Sequence, residues 1–94
     1  MLDNLGLELQ NAQNKCIGLF KTRGQEYLVM SEHKESGTIN CITIGTLFGL
    51  HSLSINKSQG KYVKFPKKQT LGKMLERPSD FMFWYRTKME NKPY

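Results

Sequence analysis

The stretch Thr38 to Thr46 (TINCITIGT) limits the fold more than any other part of the chain. Successive side chains in a strand point to opposite faces. Asn40, Ile42 and Ile44 therefore share one face, and Ile39, Cys41 and Thr43 take the other. The segment is rich in β-branched residues and carries apolar groups on both faces, which predicts a central strand with neighbours on either side.

The neighbours are readable nearby. Cys16 to Met30 has the form of a hairpin: CIGLF, a KTRG turn containing Gly24, then QEYLVM. SEHKESG follows as a polar surface loop closed by Gly37. Leu50 to Ile55 (LHSLSI) alternates, with His51, Leu53 and Ile55 on one side. NKSQG turns the chain into Lys61 to Phe65 (KYVKF), where Lys61, Val63 and Phe65 face one way and Tyr62 and Lys64 the other. Pro66 cannot donate to a ladder, so that strand ends there or runs at an edge. PKKQTLGK reads as an exposed basic loop.

Helical signals sit at the two ends. Leu2, Leu5 and Leu9 have near-helical spacing, but Gly6 and several Asn oppose it, so residues 1–15 are a short helix or a loose arm. After Pro78, Ser79 or Asp80 is placed to cap a final helix over roughly Asp80 to Asn91. Phe81, Trp84, Tyr85 and Lys88 form its stripe, flanked by Met82 and Met89. The expected architecture is α+β: one domain over residues 1–94, with four or five antiparallel strands and a C-terminal α-helix. A chain of 94 residues has a thin core, and a second copy could cover a leftover face, so a homodimer is one arrangement it permits.

Charge is the main clue to function. Residues 41–94 hold ten basic and three acidic side chains, whereas residues 1–40 hold four and five. Such lopsidedness points to a polyanionic partner, DNA or RNA above all. Lys57, Lys61, Lys64, Lys67, Lys68 and Lys73 line the second hairpin and the loop after it, and Arg77 and Arg86 extend the track. Each phosphate neutralised by a cation releases condensed counterions, and this release drives binding. Tyr62 shares a face with Lys64 and is expected to stack on a base. The alternative for these lysines is a solvated edge that discourages aggregation. The aromatic group Phe81, Phe83, Trp84 and Tyr85 is a second place where a single-stranded nucleic acid could stack, but it is expected mainly in a core or interface, with one or two members exposed.

Other chemistry is poorly represented. Cys16 and Cys41 match no metal spacing and read as reduced, apolar core thiols. His33 and His51 have no partners in sequence that make a catalytic triad or a metal cage. GTLFGL lacks the phosphate-loop and dinucleotide patterns. No signal peptide or membrane span is evident, so the expected place is the cytoplasm. A non-enzymatic protein with no cofactor and no metal is expected.

From His51 to Asp80 the chain resembles the SpoVG family of small bacterial nucleic-acid-binding regulators. The residues that carry the resemblance are His51-Ser-Leu53-Ser-Ile55, then Gly60-Lys61-Tyr62-Val63-Lys64-Phe65-Pro66 with Lys67 and Lys68, and finally Arg77-Pro78-Ser79-Asp80. The resemblance implies a small curved antiparallel sheet, a C-terminal helix and often a dimer, with Lys67 and Lys68 on phosphates. The expected function is thus regulatory nucleic-acid binding of limited sequence specificity. The rival is a small protein-binding modulator, such as a phage-encoded inhibitor, that docks its basic surface on an acidic host protein.

Overall fold

The computed structural model describes residues 2–44 and 50–92. The fold is α+β. Helix α1 (Leu2–Lys15) leads into strands β1 (Gly18–Thr22), β2 (Gln25–His33), β3 (Thr38–Ile44), β4 (Leu50–Asn56) and β5 (Lys61–Lys64). Two short helices follow, α2 (Leu71–Leu75) and α3 (Pro78–Trp84), and α3 runs on into a π-helical turn over Tyr85–Met89. The strands form one antiparallel sheet in the order β4-β3-β2-β1-β5. As the alternation of its side chains predicts, β3 is internal. Gly45 and Thr46, the last two residues of that predicted strand, lie outside the described residues, as does most of GTLFGL.

The β1–β2 turn is made by Arg23 (φ 52°) and Gly24 (φ 79°). A two-residue hairpin loop of this kind needs positive φ at both positions, which Gly adopts freely. β2 then runs further than expected, through Ser31, Glu32 and His33, so only residues 34–37 are left to turn.

A short link forces the sheet to curl. β4 and β5 occupy opposite edges, yet only Lys57 to Gly60 separate them. Four intervals between strands in a flat sheet would span about 19 Å. Five extended residue steps reach about 18 Å at most, and Lys57–Gln59 are wound into a 3₁₀ turn that shortens the reach. The sheet must therefore bend its edges together. The link runs close over the inside of the curl: a Cβ on Gly60 would lie 2.5 Å from the Lys21 carbonyl oxygen and 2.6 Å from the Phe20 ring.

The curl creates two cores, one on each face. Inside it, Phe20, Val29, Ile39 and Cys41 are fully buried, with Ile55, Tyr27 and Tyr62 packed around them. On the other face, Leu19 and the residues Phe65, Leu71, Met74, Trp84 and Met89 close a second core against the helices, together with Cys16. The Phe65 and Trp84 rings meet at a centroid distance of 4.7 Å. Residue alternation along β1 sends Leu19 to one core and Phe20 to the other.

Three expectations about local structure are corrected. PKKQTLGK is ordered: Pro66–Lys68 form a 3₁₀ turn and Leu71–Leu75 form α2, whose first turn is capped by the Thr70 hydroxyl accepting from the Lys73 N–H. The buried apolar side chains Leu71 and Met74 supply the packing that a reading by exposure missed. The final helix begins at Pro78, with Arg77 as its N-cap residue, rather than being capped by Ser79 or Asp80. Pro is favoured in a first helical turn because its missing N–H would be unpaired there anyway. Past Trp84 the helix widens, with the Glu90 N–H donating to the Tyr85 carbonyl 3.0 Å away. That widening breaks the 3.6-residue period. Met89 is buried, whereas Lys88, assigned to the apolar stripe, is exposed. Of the two alternatives for residues 1–15, the helix is the one present.

Candidate functional site

The basic residues separate into two groups with different surroundings. The first is built around Glu32, and it depends on an irregularity in β2. Val29 pairs with Cys41 but Ser31 pairs with Asn40, so one extra residue, Met30, is accommodated on β2. A bulge of this kind reverses which face later residues take. Val29 faces the inner core and Met30 the helices. Beyond the bulge Glu32 lies opposite Ile39, an inner-core residue, and so points into the curl instead of away from it.

There Glu32 receives two cations. Lys57 Nζ and Lys64 Nζ each lie 2.9 Å from one of its carboxylate oxygens, and the Tyr62 hydroxyl approaches at 3.5 Å. Only 9% of the Glu32 side chain is exposed. Its carboxyl is held down to about 2, first by the hydrogen bond from Lys57, then by the one from Lys64. Tyr62 is half-buried against the inner core, and its phenol is pushed up, chiefly by burial and then by the Glu32 charge. Lys57 and Lys64, expected on a phosphate track, and Tyr62, expected to stack on a base, are thus engaged with Glu32. Lys61 is also engaged: its ammonium donates to the Met89 carbonyl 3.2 Å away, at the end of the π-helical turn.

The second group surrounds a groove of about 370 Å³ between the Pro66–Lys68 turn, α2 and α3. Lys67, Lys73 and Arg77, three of the sequence candidates, line it together with Lys88. Trp84, only 6% exposed, and Met74 belong to both this lining and the core beneath it. Asp80 is the one carboxylate lining it, and its oxygen is 3.0 Å from Arg77 Nε. Lys73 has Glu76 at 3.9 Å, an exposed pair that water screens. Among the described residues, Lys67, Lys68, Lys88 and Arg86 have no ion pair.

Local backbone geometry displays Lys67 and Lys68. Both have φ of 56°, the left-handed region, and the turn is closed by the Gln69 N–H donating to the Pro66 carbonyl 3.1 Å away. Two successive non-glycine residues in that region are uncommon and cost energy, a type of strain that gathers at functional sites.

Phe83 stands at the crest of the groove. It is 49% exposed and lines both the groove and a shallow hollow on its far side, where Arg86 and Met82 sit. The sequence signals for Phe83 and Lys88 were present but incomplete. Phe83 belonged to an aromatic run in which not every ring fits inside, and Lys88 was obscured because a regular helical period hides the π-helical turn.

A larger cleft of about 590 Å³ lies between α1, the sheet and α2–α3, and it is mainly apolar, with Leu9, Leu19, Leu28, Ile42 and Leu71 among its lining. The Tyr85 hydroxyl donates to Glu26 there, and burial, before that hydrogen bond, pushes its phenol up to about 12. Cys16 and Cys41 are buried free thiols, both raised to about 11, mainly by burial. His33 and His51 are exposed; His33 Nε2 is 3.2 Å from the Asn40 amide. Among the described residues no three His, Cys, Asp or Glu are placed to hold a metal ion, and no helix is long and apolar enough to cross a membrane. Compared with family models, curated proteins and solved structures, the chain matches none.

Proposed function

We propose that this protein binds nucleic acid without catalysing a reaction, in a regulatory role within the cytoplasm, and that the groove between the Pro66–Lys68 turn, α2 and α3 is its phosphate site. The observation that carries the reading is the convergence of Lys67, Lys73, Arg77 and Lys88 on one concavity with a single carboxylate. Cations held by separate elements on a rigid frame can track a phosphate chain, whereas scattered surface lysines cannot. The sequence resemblance to the SpoVG family, whose basic residues after the proline correspond to Lys67 and Lys68, supports the same loop.

The test is fluorescence anisotropy over a salt series. Lys67→Ala with Lys68→Ala should weaken binding and flatten the slope of log affinity against log salt by about two units. Lys57→Ala with Lys64→Ala should leave the slope within about half a unit of the parent's, because those ammonium groups serve Glu32. Equal slopes for the two double variants would defeat the assignment.

A second reading is favoured by the exposed pair Met82 and Phe83, which together form an apolar crest on α3. An acidic protein partner could bury that crest while the groove cations meet its carboxylates. Trp84, of the residue type that most often anchors such an interface, is buried, which is why nucleic acid is the first reading.

A further inference from the structure

Deepening the nucleic-acid reading, on which it rests, we infer that the groove takes a single strand, with an unpaired base stacked on Phe83 and the flanking phosphates held by the cations on either side of the ring. The position of Phe83 matters more here than its type. A half-exposed aromatic ring presents flat apolar surface that a base can cover. Phe83 has cations on two sides: Lys67, Lys73 and Lys88 in the groove, and Arg86 in the far hollow, where Asp80 is the one carboxylate. A strand crossing α3 would thus meet cations before and after the ring. Successive phosphates joined through a splayed base have that same order: charge, flat apolar surface, charge.

A duplex fits this surface less well. Its bases are already stacked and paired, so Phe83 would find only base edges or backbone. The groove, at about 370 Å³, is at the small end of cavities that enclose one compact organic group. α3 has seven residues before it widens, and its solvent-facing crest is Met82 and Phe83. Reading a major groove calls for polar side chains that reach base edges, and that crest offers two apolar ones.

Asp80 tempers the site. It lines both hollows beside Phe83 and would repel a phosphate on either side. Its contact with Arg77 occupies one guanidinium N–H and leaves the rest of the fork free. Binding is therefore expected to be moderate, with stacking contributing a large share of the discrimination between probes.

The experiment compares four labelled probes of equal length over one shared salt series: single-stranded DNA, single-stranded RNA, duplex DNA and an abasic phosphodiester strand. Anisotropy is read alongside quenching of Trp84, the only tryptophan of the chain and part of the groove lining. The single strands should bind about tenfold more tightly than the abasic strand, and more tightly than the duplex. Phe83→Ala should remove most of that advantage with the salt slope unchanged, and Phe83→Tyr should retain it. Phe83→Leu keeps an apolar side chain and separates lost stacking from lost packing; it should behave as Phe83→Ala does, with a melting temperature near the parent's. Duplex or abasic binding as tight as single-stranded binding, or Phe83→Leu affinity equal to the parent's, would overturn the inference while leaving the phosphate groove standing. Absence of salt-dependent binding to all four probes would overturn both. A preference between DNA and RNA names the sugar the site accepts.

Discussion

Lys64 and Lys67 are three residues apart, yet they belong to unlike environments. Lys64 closes an ion cluster on Glu32 inside the rim of the curled sheet, while Lys67 stands on a strained turn and, among the described residues, makes no ion pair. Lys57 goes with the first and Lys73, Arg77 and Lys88 with the second. The difference teaches that a run of lysines is not one functional unit. What sorts it is the position of a single acid: Glu32, brought to the inner face by the bulge at Met30, converts two nearby cations from potential ligand contacts into a strap. That strap ties the β4–β5 link and β5 to β2 across the inside of the curl.

The largest effect should come from cutting the strap. Glu32→Ala leaves two ammonium groups facing each other and the Tyr62 hydroxyl unsatisfied, and should cost about 1–3 kcal/mol in stability by denaturant unfolding. The same change should raise the salt slope for nucleic acid, since it releases Lys57 and Lys64. A stability loss below about 0.3 kcal/mol would mean the cluster is ornamental and the two groups of lysines are not distinct.

The strap also has a pH signature. The Glu32 carboxyl is held at about 2 in the folded protein, below its ordinary 4.5. A depressed carboxyl contributes stability that is fully present above the unfolded value and is lost as pH falls towards the folded one. Stability should thus decline between about pH 4.5 and 2, and Glu32→Gln should flatten that acid limb. An identical acid profile for Glu32→Gln would remove the contrast.

The smallest effect sharpens the other side. Lys68 has φ of 56°, a conformation that glycine adopts without strain. Lys68→Gly should raise stability by up to about 1 kcal/mol while weakening nucleic-acid binding a few-fold. Opposite signs on stability and affinity are what a residue retained for function should show. Thermal melts and the anisotropy assay check both in one variant.

Much of the fold was legible because its determinants are local. Alternation in TINCITIGT, LHSLSI and KYVKF follows from the two-residue period of a strand, and the faces assigned to Ile39, Cys41, Tyr62, Val63 and Lys64 agree with the pairing in the sheet. The KTRG turn was readable because a two-residue loop needs positive φ and Gly supplies it. The α2 helix was not readable as such, since LGKML is too short for periodicity to outweigh its polar neighbours. The π-helical turn was hidden because five-residue spacing from Trp84 to Met89 looks like noise against a period of 3.6.

The amino-acid sequence by itself determined an α+β chain with a central β3, an excess of positive charge in its second half and buried thiols. Those properties depend on composition and on residues within a turn or two of each other. Which lysines are engaged and which face the groove was decided only by tertiary structure. The bulge at Met30, the curl forced by the four-residue link and the widening after Trp84 each reorient side chains over distances that local patterns do not span. Charge acts through space, so the partner of Lys64 is Glu32, thirty-two residues earlier in the chain.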